Sequence, residues 1–211
     1  MDDEPDRATD FAAGTRRLLD RHGETLLRIA AASIEHGLRN GQPLPVAADE
    51  HPDELRSPAA CFVTLNSSGK LRGCVGSAEA HRALVEDVAE NGFAAAFLDS
   101  RFPKLAPEER FSLRISVSVL SRPEPIRFTD EDDLLRQLRP GSDGLIIKAH
   151  CRRALFLPQV WAAVGEPREF LAHLKEKAGL ARDHRPGDVS GWRFTAESIS
   201  TDALPVGAMW R

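Results

Sequence analysis

Tyrosine is absent from all 211 residues, which removes any phenolic acid, base or radical role. Cysteine is scarce: Cys61, Cys74 and Cys151 make an odd count of 3, spaced by 13 and 77 residues. That fits neither a disulfide framework nor a Cys-x-x-Cys metal pattern, so no metal is assigned, and the compartment expected is a reducing cytoplasm. Long apolar runs are missing as well. The longest nearly apolar stretch is Phe93–Leu98, far below the roughly 20 residues that cross a bilayer, and no membrane association is expected. The acidic opening Met1-Asp2-Asp3-Glu4-Pro5-Asp6 lacks the apolar segment of a secretory signal. No P-loop, GxGxxG, HExxH or GxSxG motif occurs, and no repeat or low-complexity tract. An excess of basic charge is also lacking. The formal net charge is −4 and the pI about 6.0, so no nucleic acid partner is expected from bulk charge, although a local basic patch is compatible with that balance.

What is present suffices for a packed core, since 42% of the residues are hydrophobic and a chain of this length buries about 70% of its unfolded surface. Residues 1–10 read as a disordered N-terminal segment. Two helices are expected next, one from Thr9 or Asp10 to Gly23 and one over 24–40 ending at Gly41, followed by a loop over 42–58. Leu84, Val85, Val88, Ala89, Phe93, Ala96 and Phe97 recur at helical spacing and predict a helix over 80–97. Phe102 precedes Pro103, which forces Asp99–Lys104 out of helical geometry. Over 111–120, Leu113, Ile115, Val117 and Val119 alternate with Arg114, Ser116 and Ser118, a strand with one core face and one wet face. Thr129 and Asp132 suggest a capping box for a helix through Leu138. Strands over 144–151 and 154–157 form a hairpin around Arg152-Arg153, helices follow Pro158 and Pro167, and a last strand covers 191–199. His150 and Cys151 are neighbours on a strand and cannot both serve one site. His36, His51 and His173 read as surface residues.

The chain is organised around residues 59–81. A β-branched run from Phe62 ends in Asn66-Ser67-Ser68-Gly69, and a second run, Lys70-Leu71-Arg72-Gly73-Cys74-Val75-Gly76, returns: strand, tight turn, strand. Gly73 and Gly76 flank Cys74 as glycines do where something approaches the backbone closely. Arg72 is expected on the same strand face as Cys74. The register leaves two options, Cys74 opposite Val63 or opposite Phe62, and no disulfide with Cys61 is supported.

Phe62-Val63-Thr64-Leu65-Asn66 followed by Gly69-Lys70-Leu71-Arg72-Gly73-Cys74-Val75-Gly76 resembles the AMMECR domain family, including the A component of the AmmeMemoRadiSam system. The resemblance runs on through Asp99-Ser100-Arg101-Phe102-Pro103, Ser116–Leu120, Gly144–Ile147, Leu157–Val160 and Lys177–Leu180, covering about residues 25–200. It implies an α+β fold, a mixed and mostly antiparallel sheet with packed helices plus a smaller strand-rich portion. As domains, it implies a single unit over 11–211 made of two intimately packed subdomains, with motif residues near the groove between them. It also implies a Memo-type protein and a radical SAM enzyme as partners, and no cofactor of the chain's own. The chain departs from the family pattern at Ser116, where many members carry Glu, and near His184, where a Trp is frequent.

Cys74 is the candidate catalytic residue, with three readings open: a packing residue, a nucleophile, or a metal ligand without a partner at recognisable spacing. The nucleophile reading needs a nearby cation or helix N-terminus, supplied here by Arg72 and the helix expected from Ala80, and a base, for which His81 is the nearest candidate. Arg72, Gly73, Gly76, Arg101, Phe102 and Ser116 are the candidate substrate-binding residues, the arginines holding an anionic or carbonyl-bearing ligand and Phe102 walling the pocket. Two functions follow. One is a small enzyme or enzyme component with a cysteine-centred cleft; the other is a non-catalytic accessory or scaffold protein using the same groove to bind a partner or substrate.

Overall fold

The computed structural model describes residues 7–203. Its contacts divide the chain into two compact units, a larger one of Ala13–Leu120 with the segment from Glu197, and a smaller one built on Ser121–Ala196. Among the described residues, no helix is long and apolar enough to cross a membrane.

A single helix, α1 (Arg7–Asn40), whose residues from Ala13 belong to the larger unit, takes the place of the two expected, and it already covers residues 7–10 of the stretch read as disordered; residues 1–6 lie outside the described ones. Gly23 does not end a helix. A Cβ there would stand 2.4 Å from the side chain of Ile199, so the missing side chain makes room for a strand residue. The expected loop over 42–58 holds a 3-10 turn, Ala48–Glu50, and a short α2 (Asp53–Arg56) that buries Leu55 completely. Then come β1 (Cys61–Ser67), β2 (Lys70–Gly76), α3 (Leu84–Phe97), a 3-10 turn Pro107–Ser112 and β3 (Leu113–Leu120). The helix starts at Leu84 rather than Ala80, because Ala83 is extended and its carbonyl accepts the first helical bond from Asp87.

The smaller unit contributes β4 (Glu124–Ile126), α4 (Glu131–Arg136), β5 (Gly144–Ala149), β6 (Arg152–Phe156), α5 (Val160–Val164), α6 (Pro167–Lys177) and β7 (Ser190–Phe194). The cap of α4 is Asp130, whose carboxylate accepts from the Asp133 amide at 2.8 Å, one residue later than the Thr129 box expected. The hairpin turns at His150-Cys151 rather than Arg152-Arg153, with Ala149 opposite Arg152. The last expected strand is broken at Thr195 into β7 and β8 (Ala196–Ser200), which join different sheets.

Each unit has one four-stranded sheet, ordered β2-β1-β3-β8 in the larger and β4-β7-β5-β6 in the smaller. The pairings of β1 with β2 and β3, and of β7 with β4 and β5, are antiparallel, as the consecutive hairpins require. Period-two alternation sends Val63, Leu65, Ile115 and Val117 to a core shared with Leu26, Leu27 and Ile34 of α1 and Val85 and Val88 of α3. The smaller core centres on Phe170, stacked on Trp161 at 3.7 Å between ring centroids, with the indole N–H donating to the Asp143 carbonyl at 2.6 Å.

At Gly73 strand β2 approaches the backbone of α3 closely. A Cβ there would lie 2.0 Å from the Ala95 carbonyl oxygen of α3, a backbone atom that no rotamer change can move. Gly73→Ala should therefore destabilise the fold by about 3 kcal/mol or more, the upper range for overpacking. Denaturant melts measure it, and a loss below about 1 kcal/mol would show that β2 can lift off α3.

Candidate functional site

The turn at Ser68-Gly69 holds two residues, both with positive φ (50° and 76°), and sets Ser67 opposite Lys70. Pairing then jumps from Asn66 opposite Leu71 to Leu65 opposite Gly73, leaving Arg72 as the extra residue of a β-bulge. The bulge has two consequences. Cys74 stands opposite Thr64, neither of the two residues expected, and the period-two rule that placed Arg72 on its face does not carry across the bulge.

Thr64 and Cys74 share the face of the sheet that looks away from α1 and α3. The Thr64 hydroxyl donates to Cys74 Sγ at 3.4 Å, as expected for the closer side chains of a non-hydrogen-bonded antiparallel pair. On the far side Thr64 faces Ser116, whose hydroxyl donates to the Ile199 carbonyl at 3.1 Å. The neighbouring row contains Gly76, Phe62 and Ser118, and Ser118 shares a 2.7 Å hydrogen bond with Ser198. Gly76 is needed here, since a Cβ would fall 2.2 Å from the Phe62 ring lying across it. The middle of this face is thus a strip of small, uncharged side chains, half-buried at Cys74, Thr64, Ser116 and Ser118.

β2 is an edge strand, and the alternation that pairs Val63 and Leu65 with Val75 and Gly73 turns the Cys74 backbone outward. Both of its groups are satisfied by side chains from the loop after α3. The Asp99 carboxylate accepts from Cys74 N–H at 2.8 Å, and the Arg101 guanidinium donates to the Cys74 carbonyl at 3.2 Å. Asp99 and Arg101 also bind each other, with Nη2 to Oδ2 at 2.7 Å and Nε to Oδ1 at 2.9 Å. The Arg101 guanidinium, first, and the Cys74 amide hold the Asp99 carboxyl well below the usual carboxylate range. Phe102 closes the turn by donating its amide to the Asp99 carbonyl, and Arg101 lies 5.5 Å from the Phe102 ring centroid.

Arg72 is engaged elsewhere. Its Nε and Nη2 form a fork on Glu109 at 2.8 and 3.0 Å, and Glu109 also caps the Pro107–Ser112 turn through the Ala106 amide. The pair lowers the Glu109 carboxyl and raises the Arg72 guanidinium. His81 is exposed, with Nδ1 at 2.9 Å from the Glu79 carbonyl and Nε2 accepting from Arg82 at 2.9 Å, so both ring nitrogens are engaged locally. The structure therefore brings Cys74, Arg101, Phe102, Gly76 and Ser116 onto one sheet face and its edge, whereas Arg72 is drawn to Glu109 and Gly73 is buried against α3.

A second polar cluster escaped the sequence reading. Asp87 is fully buried, accepting from the Ser77 hydroxyl at 2.6 Å, Asn91 Nδ2 at 3.0 Å and the Cys61 amide and thiol at 3.2 Å, with Arg82 Nε at 3.3 Å. Burial, then Asp87, pushes the Cys61 thiol well up, so Cys61 is a proton-bearing structural group. The available signal was Asp87 and Asn91 recurring four residues apart beside the apolar stripe of α3, polar residues at core positions. Among the described residues, no three His, Cys, Asp or Glu side chains gather to hold a metal ion.

Against known proteins, the model of the AMMECR1 family matches residues 27–199. A protein of Methanothermobacter thermautotrophicus is 40% identical over 183 residues, covering 85% of this chain and 94% of its own length. One of Methanocaldococcus jannaschii is 36% identical over 186 residues, covering 86% and 91%. The crystal structure of an uncharacterized protein from Pyrococcus horikoshii superposes with a TM-score of 0.75 at 35% identity, over 85% of this chain and 91% of that one.

The acid behaviour of Asp99 gives a direct check. A carboxyl whose folded pKa lies below its unfolded value of about 3.9 contributes stability that is fully present above about pH 5 and is lost as the pH falls through the range below. Asp99→Asn keeps an oxygen for the Cys74 amide but removes the charge, so it should cost about 1 to 2 kcal/mol at neutral pH, toward the lower end because the Arg101 side chain is 55% exposed. The gap between wild type and variant should begin to narrow below about pH 4 and keep narrowing as the pH falls towards the folded carboxyl's own range, and a gap that stays constant from about pH 5 to about pH 2.5 would refute the ion-pair assignment.

Proposed function

This chain belongs to the AMMECR1 family, and from that starting point we propose that it is a non-catalytic accessory protein of the cytoplasm. The face of β2-β1-β3-β8 that looks away from α1 and α3 holds a segment of a partner or a substrate, in association with a Memo-type protein and a radical SAM enzyme. The observation that carries this reading is that both arginines near the motif cysteine are taken up by carboxylates, Arg101 by Asp99 and Arg72 by Glu109. A nucleophilic cysteine needs a cation or helix N-terminus beside it and a base within reach. Here the Thr64 hydroxyl donates to Sγ, the Arg101 guanidinium that also reaches the Cys74 side chain is paired with Asp99, and the first turn of α3 carries the buried Asp87 cluster with Cys61. The strip offers hydroxyl donors and acceptors but no acid or base beside the thiol.

A second reading, a cysteine enzyme, is favoured by two details: the Thr64 hydroxyl pointing at Cys74 Sγ, and Arg72 Nη1, which is buried with no acceptor among the described residues. One experiment separates the two. The purified chain is titrated with the Memo-type and radical SAM proteins of the same genome, using the wild type, Cys74→Ser and Ser118→Trp. The accessory reading expects Cys74→Ser to bind within about threefold of wild type and Ser118→Trp at least about tenfold more weakly. It fails if neither protein binds, or if Ser118→Trp binds like wild type. Faster alkylation of Cys74 than of the exposed Cys151 at about pH 6.5 would replace it with the enzyme reading.

A further inference from the structure

The two edges of the larger sheet are finished differently. At β2 the outward groups of Cys74 are taken by Asp99 and Arg101. β8 is the other edge, and two contacts with β3 fix its alternation. The Ile199 carbonyl accepts from the Ser116 hydroxyl at 3.1 Å, and Thr201 Oγ1 accepts from the Ile115 amide at 3.3 Å. With Ile199 turned to β3, the N–H and C=O groups of Ser198 and Ser200 point away from the sheet. Among the described residues no side chain does there what Asp99 and Arg101 do at β2. The two serine hydroxyls are engaged within the sheet, Ser198 with Ser118 at 2.7 Å and Ser200 with Arg114 at 3.5 Å.

Ser198 and Ser200 border a groove of about 650 Å³ between β8 and α1, lined by residues of the larger unit alone. Its two walls are tied together: Ile199 fills the space left by Gly23, and Arg16 of α1 reaches Glu197 at 2.7 Å. The other charges of the lining are balanced, with one exception. Arg21 pairs with Glu54 at 3.0 Å, Glu24 with Arg28 at 2.7 Å, and Asp202 with Arg114. Asp20 lines the groove, is exposed, and has no cation partner among the described residues.

We propose that this groove takes an extended basic segment of a protein partner, which pairs with the β8 edge as a fifth strand and sets a Lys or Arg against Asp20. Strand addition supplies the ladder bonds that Ser198 and Ser200 lack, and the side chain beside Asp20 supplies the preference. An acidic segment would bring carboxylates to Asp20 with no unpaired cation in the lining to receive them. A second copy of the chain would bring the same uncompensated Asp20 to a shared edge, so charge favours a basic partner over self-pairing. The inference concerns an edge and is independent of the use proposed for the sheet face.

The test uses the full chain at low salt and a fluorescein-labelled peptide of alternating Lys and Thr, read by fluorescence anisotropy, with a peptide of alternating Glu and Thr as comparator. The basic peptide should bind at least about tenfold more tightly than the acidic one. Asp20→Lys should weaken it at least about tenfold and Asp20→Asn about threefold, with melting temperatures close to the wild type because Asp20 has no partner to lose. Ser200→Pro removes an outward N–H where an edge strand tolerates proline, and should also weaken the peptide at least about tenfold. If that variant impairs folding, amide exchange carries the same point, since saturating peptide should slow the wild-type Ser198 and Ser200 amides at least about tenfold. The proposal is overturned if the basic peptide does not bind, if the acidic one binds as tightly, if a folded Asp20→Lys or Ser200→Pro variant binds like the wild type, or if those two amides are not slowed. A concentration-dependent dimer that Ser200→Pro dissolves would also overturn it and give the groove to a second copy.

Discussion

The arrangement around the motif cysteine depends on two side chains completing a strand edge. An edge strand leaves alternate N–H and C=O groups without a ladder partner, and natural sheets cover or blunt them. At Cys74 the cover is supplied by a carboxylate and a guanidinium from one turn, Asp99 on the amide and Arg101 on the carbonyl, joined by their own ion pair. The side chains thus reproduce what a neighbouring strand would offer. This fixes the backbone of Cys74 and, through it, the position of Sγ beside Thr64. The opposite constraint comes from Gly73, which seats the same strand on the Ala95 carbonyl.

Those contacts decide how the arginines are read. A guanidinium next to a cysteine suggests thiol activation or anion capture, but a guanidinium forked on a carboxylate has its charge offset and its donors occupied. Arg101 and Arg72 are both offset by a carboxylate, although Arg72 Nη1 finds no acceptor among the described residues, and the strip that continues from Cys74 through Thr64 and Ser116 adds hydroxyls rather than acids or bases. Ser116 is part of the same logic. Where the family pattern implies a carboxylate, this chain places a hydroxyl that donates to the Ile199 carbonyl and knits β3 to β8.

Much of the fold was legible in the sequence because it rests on periodicity. The alternation of Leu113, Ile115, Val117 and Val119 gave β3 its core face, and the stripe of Leu84, Val85, Val88 and Phe93 gave α3 its phase. What escaped were features that depend on distant partners. Gly23 reads as a helix stop until Ile199 is seen to need its space. Arg72 reads as a neighbour of Cys74 until a single bulge residue breaks the alternation, and Glu109, 37 positions away, claims it. Cys74, Arg101 and Phe102 were grouped as candidate site residues from the sequence, but the atoms involved were not legible: Arg101 donates to the Cys74 carbonyl while its side chain also interacts with the Cys74 side chain.

The clamp is most directly tested by amide hydrogen exchange resolved at single residues. In the wild type the Cys74 amide should be protected although it lies on a sheet edge, and Asp99→Ala should accelerate its exchange at least about a hundredfold. The Gly73 amide, which the ladder turns toward β1, should change by less than about tenfold. A Cys74 amide that exchanges freely in the wild type, or that is indifferent to Asp99→Ala, would contradict the account.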